Sequence, residues 1–540
     1  MQIDPIYSGK ANKLVSDYRN DKQSIMQFFH YHLTEADFTN RVSDIKKRRF
    51  QREAIAEVLE KMNRDWGAPE SAIANIKRLK RTDSVIVVGG QQAGVLTGPM
   101  YSIHKVISIL QLARQQEKKL NIPVIPVFWI AGEDHDFEEI NHVYMPSGQK
   151  LTKHKMPQRV IEKKSVSDIE INQADAERWL QDVFAELDET VHTKPIYTIV
   201  CDCLKQSKTY VDFFARFIFT MMENEGLVLL DSNHPEIRQL ESGYFKQLIT
   251  QQPSIASGVF EQMQCLKNEG YQVALDVGPE DGHLFFHEDK ERILLKRDES
   301  GNWIGKQNQL VLSEKELLGI AENTPENLSN NVVTRPVMQE LLLPTLAFVA
   351  GPGEIGYWSA LKPAFETLDI KMPPVVQRLS FTFLDNNTEK LLKRYGIPLK
   401  EAVEEGVDHL KLRWLQAKTA VPVKEMAEEI KKGIAKIHQP LQEIAKDLRA
   451  DLGAVADKNL FYIERNIDFV EHKIQQAVEE MNSSQVADFD RLDQVLHPLS
   501  GLQERTWNPL PLLNIYGTTL FAELSRYDCS FENSHYAVRI

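Results

Sequence analysis

Cysteine is scarce in this chain of 540 residues, where only Cys201, Cys203, Cys265 and Cys529 occur. So few cysteines exclude a small secreted scaffold held together by disulfides. The C-x-C pair at 201–203 has no second Cys or His pair at the spacing of a zinc finger. We therefore interpret the four residues as free thiols, with zinc binding as the alternative.

Long hydrophobic runs are also missing. No apolar stretch is long enough to span a bilayer, and the N-terminal sequence MQIDPIYSGK lacks the basic and apolar segments of a signal peptide. The formal net charge is -13, which argues against a general nucleic-acid binder. These absences predict a cytoplasmic protein with neither a nucleic-acid nor a membrane partner.

Two nucleotide-binding signatures are absent as well, G-x-G-x-x-G and G-x-x-x-x-G-K-[ST]. The most informative stretch that is present, SVIVVGGQQAGVLTGPMYSIHK at 84–105, begins with a β-branched run typical of a buried parallel strand. Glycines and a helix N-terminus follow, and both favour a bound anion. We predict a phosphate-binding corner here, with a ligand-free tight turn as the alternative. Its candidate residues are Gly90, Gln91, Gln92, Gly94, Thr97, Gly98, His104 and Lys105.

Strand and helix patterns alternate through residues 1–384, which predicts an α/β core with a mostly parallel sheet. The strand candidates are 85–88, 123–130, 226–231, 345–350 and 375–377. Helical patterns cover 41–62, 101–117, 173–187, 201–224, 242–250 and 337–342. Irregular sequence near 142–170 and short apolar runs near 271–306 predict two inserts, the second a small antiparallel meander.

The pattern changes to heptads after residue 384. Apolar residues recur at three- and four-residue steps through 423–452 and 460–481, which predicts two long helices paired as an antiparallel coiled coil within 385–484. We expect a bend near 451–457, a local disturbance at Pro440, and a final segment, 485–540, that packs back on the core or on the base of the coiled coil. A coiled coil on a catalytic core favours a homodimer, with an intramolecular arm as the alternative.

Polar or glycine-rich sequence follows each of the five strand candidates. Because ligands of open α/β sheets bind beyond the carboxyl ends of the strands, we predict that these segments form one crevice. Gln91, His135 and Glu354 must then point toward a common space. The segments are 89–92, 131–136, 231–234, 351–354 and Arg378.

The densest of these segments is Glu133-Asp134-His135-Asp136. Its three carboxylates are expected to raise the pKa of the imidazole, so that it serves as an acid or a base. Binding of a substrate ammonium or of Mg²⁺, and a merely solvated acidic loop, are the alternatives.

A further set of residues is predicted to bind substrate. Glycines at 351 and 353 bring backbone close to a ligand, Glu354 is a hydrogen-bond acceptor, and two arginines can meet a carboxylate or phosphate. For the arginines the alternative is a structural salt bridge. The set is Trp129, Glu133, Arg335, Gly351, Gly353, Glu354, Tyr357 and Arg378.

Four separated motifs resemble the cysteine ligase family of bacillithiol biosynthesis, and the resemblance covers essentially the whole chain. They are GGQQAGVLTGPMYSIHK, FWIAGEDHDFEEINH, RPVMQELLLPTLAFVAGPGEIGYW and LQER. The resemblance implies a ligase that joins cysteine to the amino group of glucosaminyl-malate in the last step of the pathway. It also implies a Rossmann-like core similar to the nucleotidyltransferase fold of class I aminoacyl-tRNA synthetases, with connecting-peptide inserts and a dimerising coiled coil.

The sequence departs from class I synthetases at both of their ATP motifs. Thr97-Gly98-Pro99 stands where H-x-G-H is expected, with His104 further along the helix, and no K-M-S-K-S equivalent occurs. ATP with Mg²⁺ is thus expected by analogy, bound at 94–105 and activating the cysteine carboxylate, and no protein metal ligands are predicted. The rivals are a nucleotide-independent cysteinyl transferase and a coiled-coil scaffold with a degenerate nucleotide fold.

For such a reaction we predict roles for the acidic loop and the arginines. His135, oriented by Asp134 or Asp136, is the expected base that takes a proton from the sugar amine. His104 is a second expected catalytic residue, and replacing either histidine should lower turnover. Glu354, with Arg335 or Arg378, is expected to hold the ammonium and the malate carboxylates.

Overall fold

The computed structural model describes residues 1–6, 12–148, 150–288, 291–305, 310–418, 422–533 and 535–540. The chain divides into two compact units. The first combines Met1–Phe383 with Gln503–Ile540, and the second is Leu384–Leu502.

Strands within the described residues are short and lie almost entirely in the first unit. They are β1 (Gln2–Pro5), β2 (Val85–Gln91), β3 (Val124–Ile130), β4 (His142–Ser147), β5 (Lys150–Lys155), β6 (Val228–Asp231), β7 (Asp281–Glu288), β8 (Glu291–Arg297), β9 (Trp303–Ile304), β10 (Val311–Leu312), β11 (Leu328–Asn330), β12 (Thr345–Ala350), β13 (Val375–Gln377), β14 (Ser380–Leu384) and β15 (His535–Arg539).

Helices make up most of the remaining regular structure. They are α1 (Lys13–Arg19), α2 (Gln23–Met26), α3 (Glu35–Lys46), α4 (Arg52–Asp65), α5 (Glu70–Leu79), α6 (Tyr101–Leu120), α7 (Phe137–Ile140), α8 (Gln173–Ala185), α9 (Thr193–Lys205), α10 (Tyr210–Met221), α11 (Pro235–Asn268), α12 (Glu314–Asn323), α13 (Thr334–Leu342), α14 (Pro352–Trp358), α15 (Lys362–Glu366), α16 (Asn386–Tyr395), α17 (Leu399–Glu405), α18 (Asp408–Gln416), α19 (Val423–Leu448), α20 (Ala450–Met481), α21 (Ser483–Leu496), α22 (Gln503–Thr506), α23 (Leu510–Tyr516) and α24 (Leu520–Ser525).

The core of the first unit is a five-stranded parallel sheet in the order β13-β12-β2-β3-β6. Each predicted strand is present, and the β-branched run at the start of β2 is fully buried, as expected for a strand covered on both faces. The mixed α/β class predicted from the sequence is confirmed.

Three helix predictions needed correction. The pattern at 41–62 forms α3 and α4, because Arg48 in the break donates to the Glu340 carbonyl oxygen at 2.7 Å and ties the chain there. The pattern at 201–224 is divided between α9 and α10, since Thr209 caps α10 in a capping box with Asp212. The pattern at 242–250 is the middle of α11, which runs for 34 residues.

The inserts contain antiparallel structure. The first holds the β4–β5 hairpin, and the second supplies β7, β8 and β9 to a sheet in the order β10-β9-β8-β7-β11. The antiparallel meander is present and is larger than predicted, because β10 and β11 join it from beyond residue 306. A further sheet, β1-β15-β14, was missed. Pairing of Gln2 with Arg539 connects the two ends of the chain, and no local pattern signals such a contact.

In the second unit, α19 and α20 pair antiparallel, as predicted. His438 Nε2 lies 3.1 Å from Asn459 Oδ1, and Lys431 Nζ lies 2.8 Å from Asp468 Oδ1. The bend is at Arg449, where the backbone is extended, and not at 451–457. The α19 helix continues through Pro440.

Much of the predicted apolar seam of this helix pair is exposed to solvent. Ile437 is 81% exposed and Leu448 is 71% exposed. Ala427 and His438 of α19, with Gly453 and Ala456 of α20, are the residues buried within the pair. Among all helices in the described ranges, none has both the length and the apolarity needed to cross a bilayer.

Candidate active site

The carboxyl ends of the parallel strands place the predicted site segments along one edge of the sheet. In the ladder, Gly90 is opposite Trp129 and Ile130 is opposite Asp231, while Ala350 pairs with Gln377 on the other side. The residues that follow these strands therefore emerge side by side, as the alternation of strands and helices predicts.

Lys105 connects two of these segments. Its Nζ, on the first turns of α6, donates to the Gly90 carbonyl oxygen at 2.6 Å, to Gln91 Oε1 at 3.1 Å and to Glu354 Oε2 at 2.5 Å. A single ammonium therefore holds the carboxyl end of β2 against the start of α14.

Gln92 makes the matching connection on the other side. Its Nε2 donates to Asp134 Oδ2 at 2.7 Å and to Glu139 Oε2 at 3.0 Å. Since His135 follows Asp134 directly, the glycine-rich turn lies between the acidic loop and the Gly351–Glu354 segment.

Burial divides the predicted site residues into two groups. One group is at least partly exposed: Gly90, Gln91, Gln92, Asp134, His135, Asp136, Arg335, Gly351, Gly353, Glu354 and Tyr357. The other is buried: Gly94, Thr97, Gly98, His104, Lys105, Trp129, Glu133 and Arg378. Only the first group can contact a ligand without rearrangement of the surrounding side chains.

The turn between β2 and α6 has an unusual backbone. Leu96 and Thr97 have φ of 48° and 72°, a region that non-glycine residues rarely adopt, and Gly98 follows at 67°. Asn508 holds this conformation, because its Nδ2 donates to the carbonyl oxygens of Leu96 at 2.8 Å and Gly98 at 2.9 Å. The C-terminal segment therefore shapes the predicted phosphate-binding corner.

Some backbone N–H groups of this turn already donate to carbonyl oxygens within the turn. The Gly94 N–H bonds the Gln92 carbonyl oxygen at 3.1 Å, and the Gly98 N–H bonds that of Val95 at 2.8 Å. The buried Thr97 Oγ1 has no hydrogen-bond partner in the described structure. The donors at the rim that suit a phosphate are thus side chains: the amides of Gln91 and Gln92, and the Lys105 ammonium if it exchanges its contact with Glu354.

His104 and Arg378 share a buried carboxylate, Glu504. Arg378 binds it through both terminal nitrogens at 2.5 and 2.6 Å, and His104 Nδ1 lies 2.8 Å from Glu504 Oε2. Burial alone would raise the pKa of the Glu504 carboxyl, but Arg378 and His104 hold it well below its usual value. Burial also lowers the pKa of His104. These two predicted site residues thus form an internal ion-pair set.

Glu133 is likewise part of a buried set. It forms an ion pair with Arg238 of α11, and Arg238 Nη1 also donates to Glu241 Oε2 at 2.7 Å. Both Arg238 and Glu241 are fully buried. Glu133 therefore anchors the acidic loop to α11, while Asp134, His135 and Asp136 remain accessible.

The pKa of His135 is lowered, contrary to the expectation that its acidic neighbours raise it. Burial and the Arg292 guanidinium lower this pKa and outweigh Asp136 and Asp134. Each of these carboxylates lies 3.8 Å from a ring nitrogen, beyond hydrogen-bond distance. Arg292 Nη1, at 3.0 Å from Nδ1, is the group that contacts the ring.

Asp134, His135 and Asp136 bring one ligand atom each within 4.8 Å of one another, a spacing that a metal ion could use. The Arg292 guanidinium lies 3.8 Å from Asp134 Oδ1 and already supplies positive charge there. This charge disfavours a cation at the same carboxylate.

Arg335 and Tyr357 form the opposite rim. Arg335 Nη2 donates to the Tyr357 hydroxyl at 2.9 Å, and its guanidinium lies 5.6 Å from the centre of the Phe348 ring. Both residues are partly exposed. No carboxylate pairs with Arg335 among the contacts described, which leaves its charge available to an anion.

Two family models together match almost the whole chain. "Bacillithiol biosynthesis BshC, N-terminal Rossmann-like domain" covers residues 1–379, and "Bacillithiol biosynthesis BshC, C-terminal coiled-coil domain" covers residues 381–540. Relatives carrying the name "Putative cysteine ligase BshC" include proteins of Oceanobacillus iheyensis, 42% identical over 544 residues, and Bacillus licheniformis, 40% identical over 542 residues. Each alignment covers 100% of both chains.

The chain belongs to the BshC family. A relative from Bacillus cereus, 39% identical over 527 residues and aligned over 98% of each chain, agrees with this assignment. The resemblance read from the four motifs is confirmed, and so are the Rossmann-like core, the coiled coil and the prediction of an enzyme.

For this BshC family member, the sequence interpretation missed the partners of its site residues. Arg238, Arg292 and Asn508 were not singled out, and no local pattern marks them. Glu504 could have been found, because it lies in the LQER motif that contributed to the family resemblance.

Proposed function

We propose that this chain is an amide-forming ligase that joins the carboxyl group of cysteine to the amino group of glucosaminyl-malate, with ATP activating the cysteine carboxylate. The observation that carries the proposal is the family match along the whole chain, combined with a polar rim at the carboxyl edge of a parallel sheet. Charged side chains of both signs reach that rim, namely Arg335 and the carboxylates Asp134, Asp136 and Glu354, which suits substrates that carry both charges.

The hydrogen-bond donors of the rim suit the anionic groups of the substrates. The amides of Gln91 and Gln92 and the Lys105 ammonium would hold phosphate oxygens, and Mg²⁺ would accompany the nucleotide. Glu354, whose side chain is 21% exposed, can release Lys105 to a phosphate at the rim. When bound, ATP supplies the activation of the cysteine carboxylate.

The carboxylates of the rim suit the amino groups of the substrates. Asp134, Asp136 and Glu354 can bind a substrate ammonium, and the attacking amine must lose a proton before it forms the amide bond. Arg335 is placed to bind a malate carboxylate opposite the acidic loop. Arg378 and His104 act in the proposal through Glu504, as buried supports of α6 and β13.

We further propose that the protein is a homodimer and works in the cytoplasm. The exposed apolar stripe on α19 favours a homodimer formed through the helix pair, and a ligase of this small-molecule chemistry is expected to work in the cytoplasm. Neither nucleic acid nor membrane is a proposed partner.

Product analysis tests the proposed reaction. Purified protein is incubated with cysteine, glucosaminyl-malate, ATP and Mg²⁺, and the mixture is examined by mass spectrometry for the cysteinyl product and for ADP or AMP. We expect product and nucleotide cleavage that each require all three substrates. Product formed equally well without ATP, from a different activated cysteine, would instead support the nucleotide-independent transferase.

A scaffold without catalytic activity gives a third outcome. No product would form, and neither ATP nor glucosaminyl-malate would shift the melting temperature. A protein with the partly exposed rim residues Gln92 and Arg335 both replaced by alanine is the matched control, since we expect it to fold and to lose product formation.

A further inference from the structure

Arg292 lies on β8 of the second insert and contacts the acidic loop of the parallel core. Its Nη1 lies 3.0 Å from His135 Nδ1. A guanidinium carries only donors, so Nδ1 must accept this hydrogen bond with its lone pair. A neutral imidazole that accepts at Nδ1 carries its proton on Nε2.

The Arg292 guanidinium is fixed by groups other than His135. Its Nε donates to Ser329 Oγ at 3.2 Å, its Nη2 donates to the Asn330 carbonyl oxygen at 3.1 Å, and its centre lies 3.9 Å from the centre of the Phe285 ring. The side chain is 4% exposed. The insert sheet therefore sets the position of the guanidinium.

The charges that face His135 come from three elements. Asp134 and Asp136 lie on its own loop, Arg292 lies on β8, and Lys163 belongs to the segment that follows β5. Arg292 and Lys163 disfavour the imidazolium, as does burial, and the two carboxylates favour it. Because the pKa of His135 is lowered from 6.5, the ring is mainly neutral at pH 7.

We propose that Arg292 is a positioning residue that holds His135 in the neutral tautomer with the proton on Nε2. His135 then presents an N–H donor to an anionic oxygen of a substrate, a carboxylate or a phosphoryl group. The neighbouring carboxylates, and not His135, then accept the proton from the amine. Asp136 is the more exposed of the two. This role at the rim rests on the proposed ligase function, but the tautomer itself does not.

Long-range ¹H–¹⁵N spectra of the full chain labelled with ¹⁵N-histidine test the tautomer directly. A His135→Gln variant identifies the His135 signals by difference. We expect Nδ1 of the wild-type protein to show the shift of an unprotonated nitrogen, and Nε2 that of a protonated one, at pH 7. A protonated Nδ1 would overturn the proposal without any variant.

The Arg292→Met variant tests the cause. Removing the cation should raise the pKa of His135 by about one pH unit, and removing the donor should allow both tautomers. Arg297→Met is the matched control on the same strand, because Arg297 pairs with Glu314 and should leave the His135 signals unchanged. An unchanged pKa and tautomer in folded Arg292→Met would contradict the proposal.

These measurements need no substrate, so they separate this inference from the proposed reaction. If the protein forms the cysteinyl product, the acidic limb of the pH profile of kcat/KM should move to higher pH in Arg292→Met. If no product forms, while the wild-type signals report the Nε2–H tautomer and Arg292→Met loses it, the ligase proposal fails and Arg292 still sets the tautomer of His135.

Discussion

At the scale of single residues, two groups of buried charges near the candidate site pair within the protein. Glu504 is bound by Arg378 and His104, and Arg238 is bound by Glu133 and Glu241. Burial of an isolated charge is costly, and each set offsets that cost by pairing and hydrogen bonding. Removing one member leaves the others charged, buried and incompletely paired.

The Glu504→Gln substitution should therefore strongly destabilise the first unit. We expect a loss of about 3–5 kcal/mol in its free energy of unfolding, because Arg378 would keep its charge without a carboxylate. Urea unfolding followed by tryptophan fluorescence reports mainly on this unit, since Trp414 is the single tryptophan of Leu384–Leu502.

Glu60→Gln provides the surface control. Glu60 pairs with Arg64 at 2.8 Å, with side chains 29% and 47% exposed, and such pairs contribute about 1 kcal/mol or less. Equal losses in the two variants would contradict the distinction drawn between buried and exposed pairs.

Residue roles were the least predictable part of the site. The sequence indicated correctly that His135 follows a buried strand among carboxylates, and from its neighbours alone a raised pKa is the natural expectation. Arg292, which reverses that shift, is separated from His135 by 157 positions, and Glu504 is separated from His104 by 400. Charges this distant along the chain have no signature in a single sequence.

At the scale of elements, the end of β6 is joined to the first insert through a buried carboxyl group. Asp231 Oδ2 accepts from Ser167 Oγ at 2.8 Å, and its Oδ1 accepts from the Asn233 N–H at 3.0 Å. Burial raises the pKa of Asp231 from 3.8 to about 7, against the effect of these hydrogen bonds. The folded protein thus holds this proton more tightly than the unfolded chain.

The raised pKa of Asp231 makes the free energy of unfolding depend on pH. Between about pH 4 and pH 7 the unfolded chain loses this proton while the folded chain retains it, so the contribution of Asp231 to stability falls as pH rises. Asp231→Asn keeps the side chain neutral at every pH. Relative to wild type, the variant should gain about 2–4 kcal/mol between pH 4 and pH 8, measured as the difference in free energy of unfolding.

Asp83→Asn is the control for that experiment. Asp83 pairs with Arg81 at the surface, and its pKa is lowered, largely by a hydrogen bond from Arg81. The stability difference for this variant should be nearly flat between pH 5 and pH 8. A flat difference for Asp231→Asn as well would show that the carboxyl ionises normally in the folded protein.

Elements were more predictable than residue roles, for a physical reason. Strands such as β2 and β3 are short apolar runs because both faces are buried, and that composition is visible locally. Helix ends that depend on distant contacts are not visible in the local sequence. The break between α3 and α4 is an example, because Arg48 in the break donates to the Glu340 carbonyl oxygen. The β1–β15 pairing, between the two ends of the chain, is the extreme case.

At the scale of the whole molecule, the last part of the chain belongs to the first compact unit. Gln503–Ile540 contributes Glu504, Asn508 and β15 to it, although the coiled-coil family model includes these residues. A truncation at residue 502 would therefore remove the carboxylate of a buried ion-pair set and the amide that holds the turn at 96–98. The second unit, Leu384–Leu502, is therefore inserted within the sequence of the first.

The exposed apolar stripe on α19 favours association of two copies of the chain. Ile437, Leu441, Ile444 and Leu448 recur at four- and three-residue steps, so they lie on one face of the helix, and all four are exposed. Contiguous apolar surface of this kind is typical of an interface. We expect the protein to be a dimer of 62.0 kDa chains through this face.

Replacing Ile437, Leu441 and Leu448 together by glutamine should convert the dimer into a monomer, because glutamine retains helix propensity but removes apolar area. Light scattering coupled to size exclusion gives the mass, and circular dichroism should show unchanged helix content. Lys436→Gln with Glu443→Gln is the control, since these residues lie on the same helix away from the stripe. A wild-type protein that is monomeric at micromolar concentration would instead favour an intramolecular arm, and a dimer that survives the triple substitution would place the interface elsewhere.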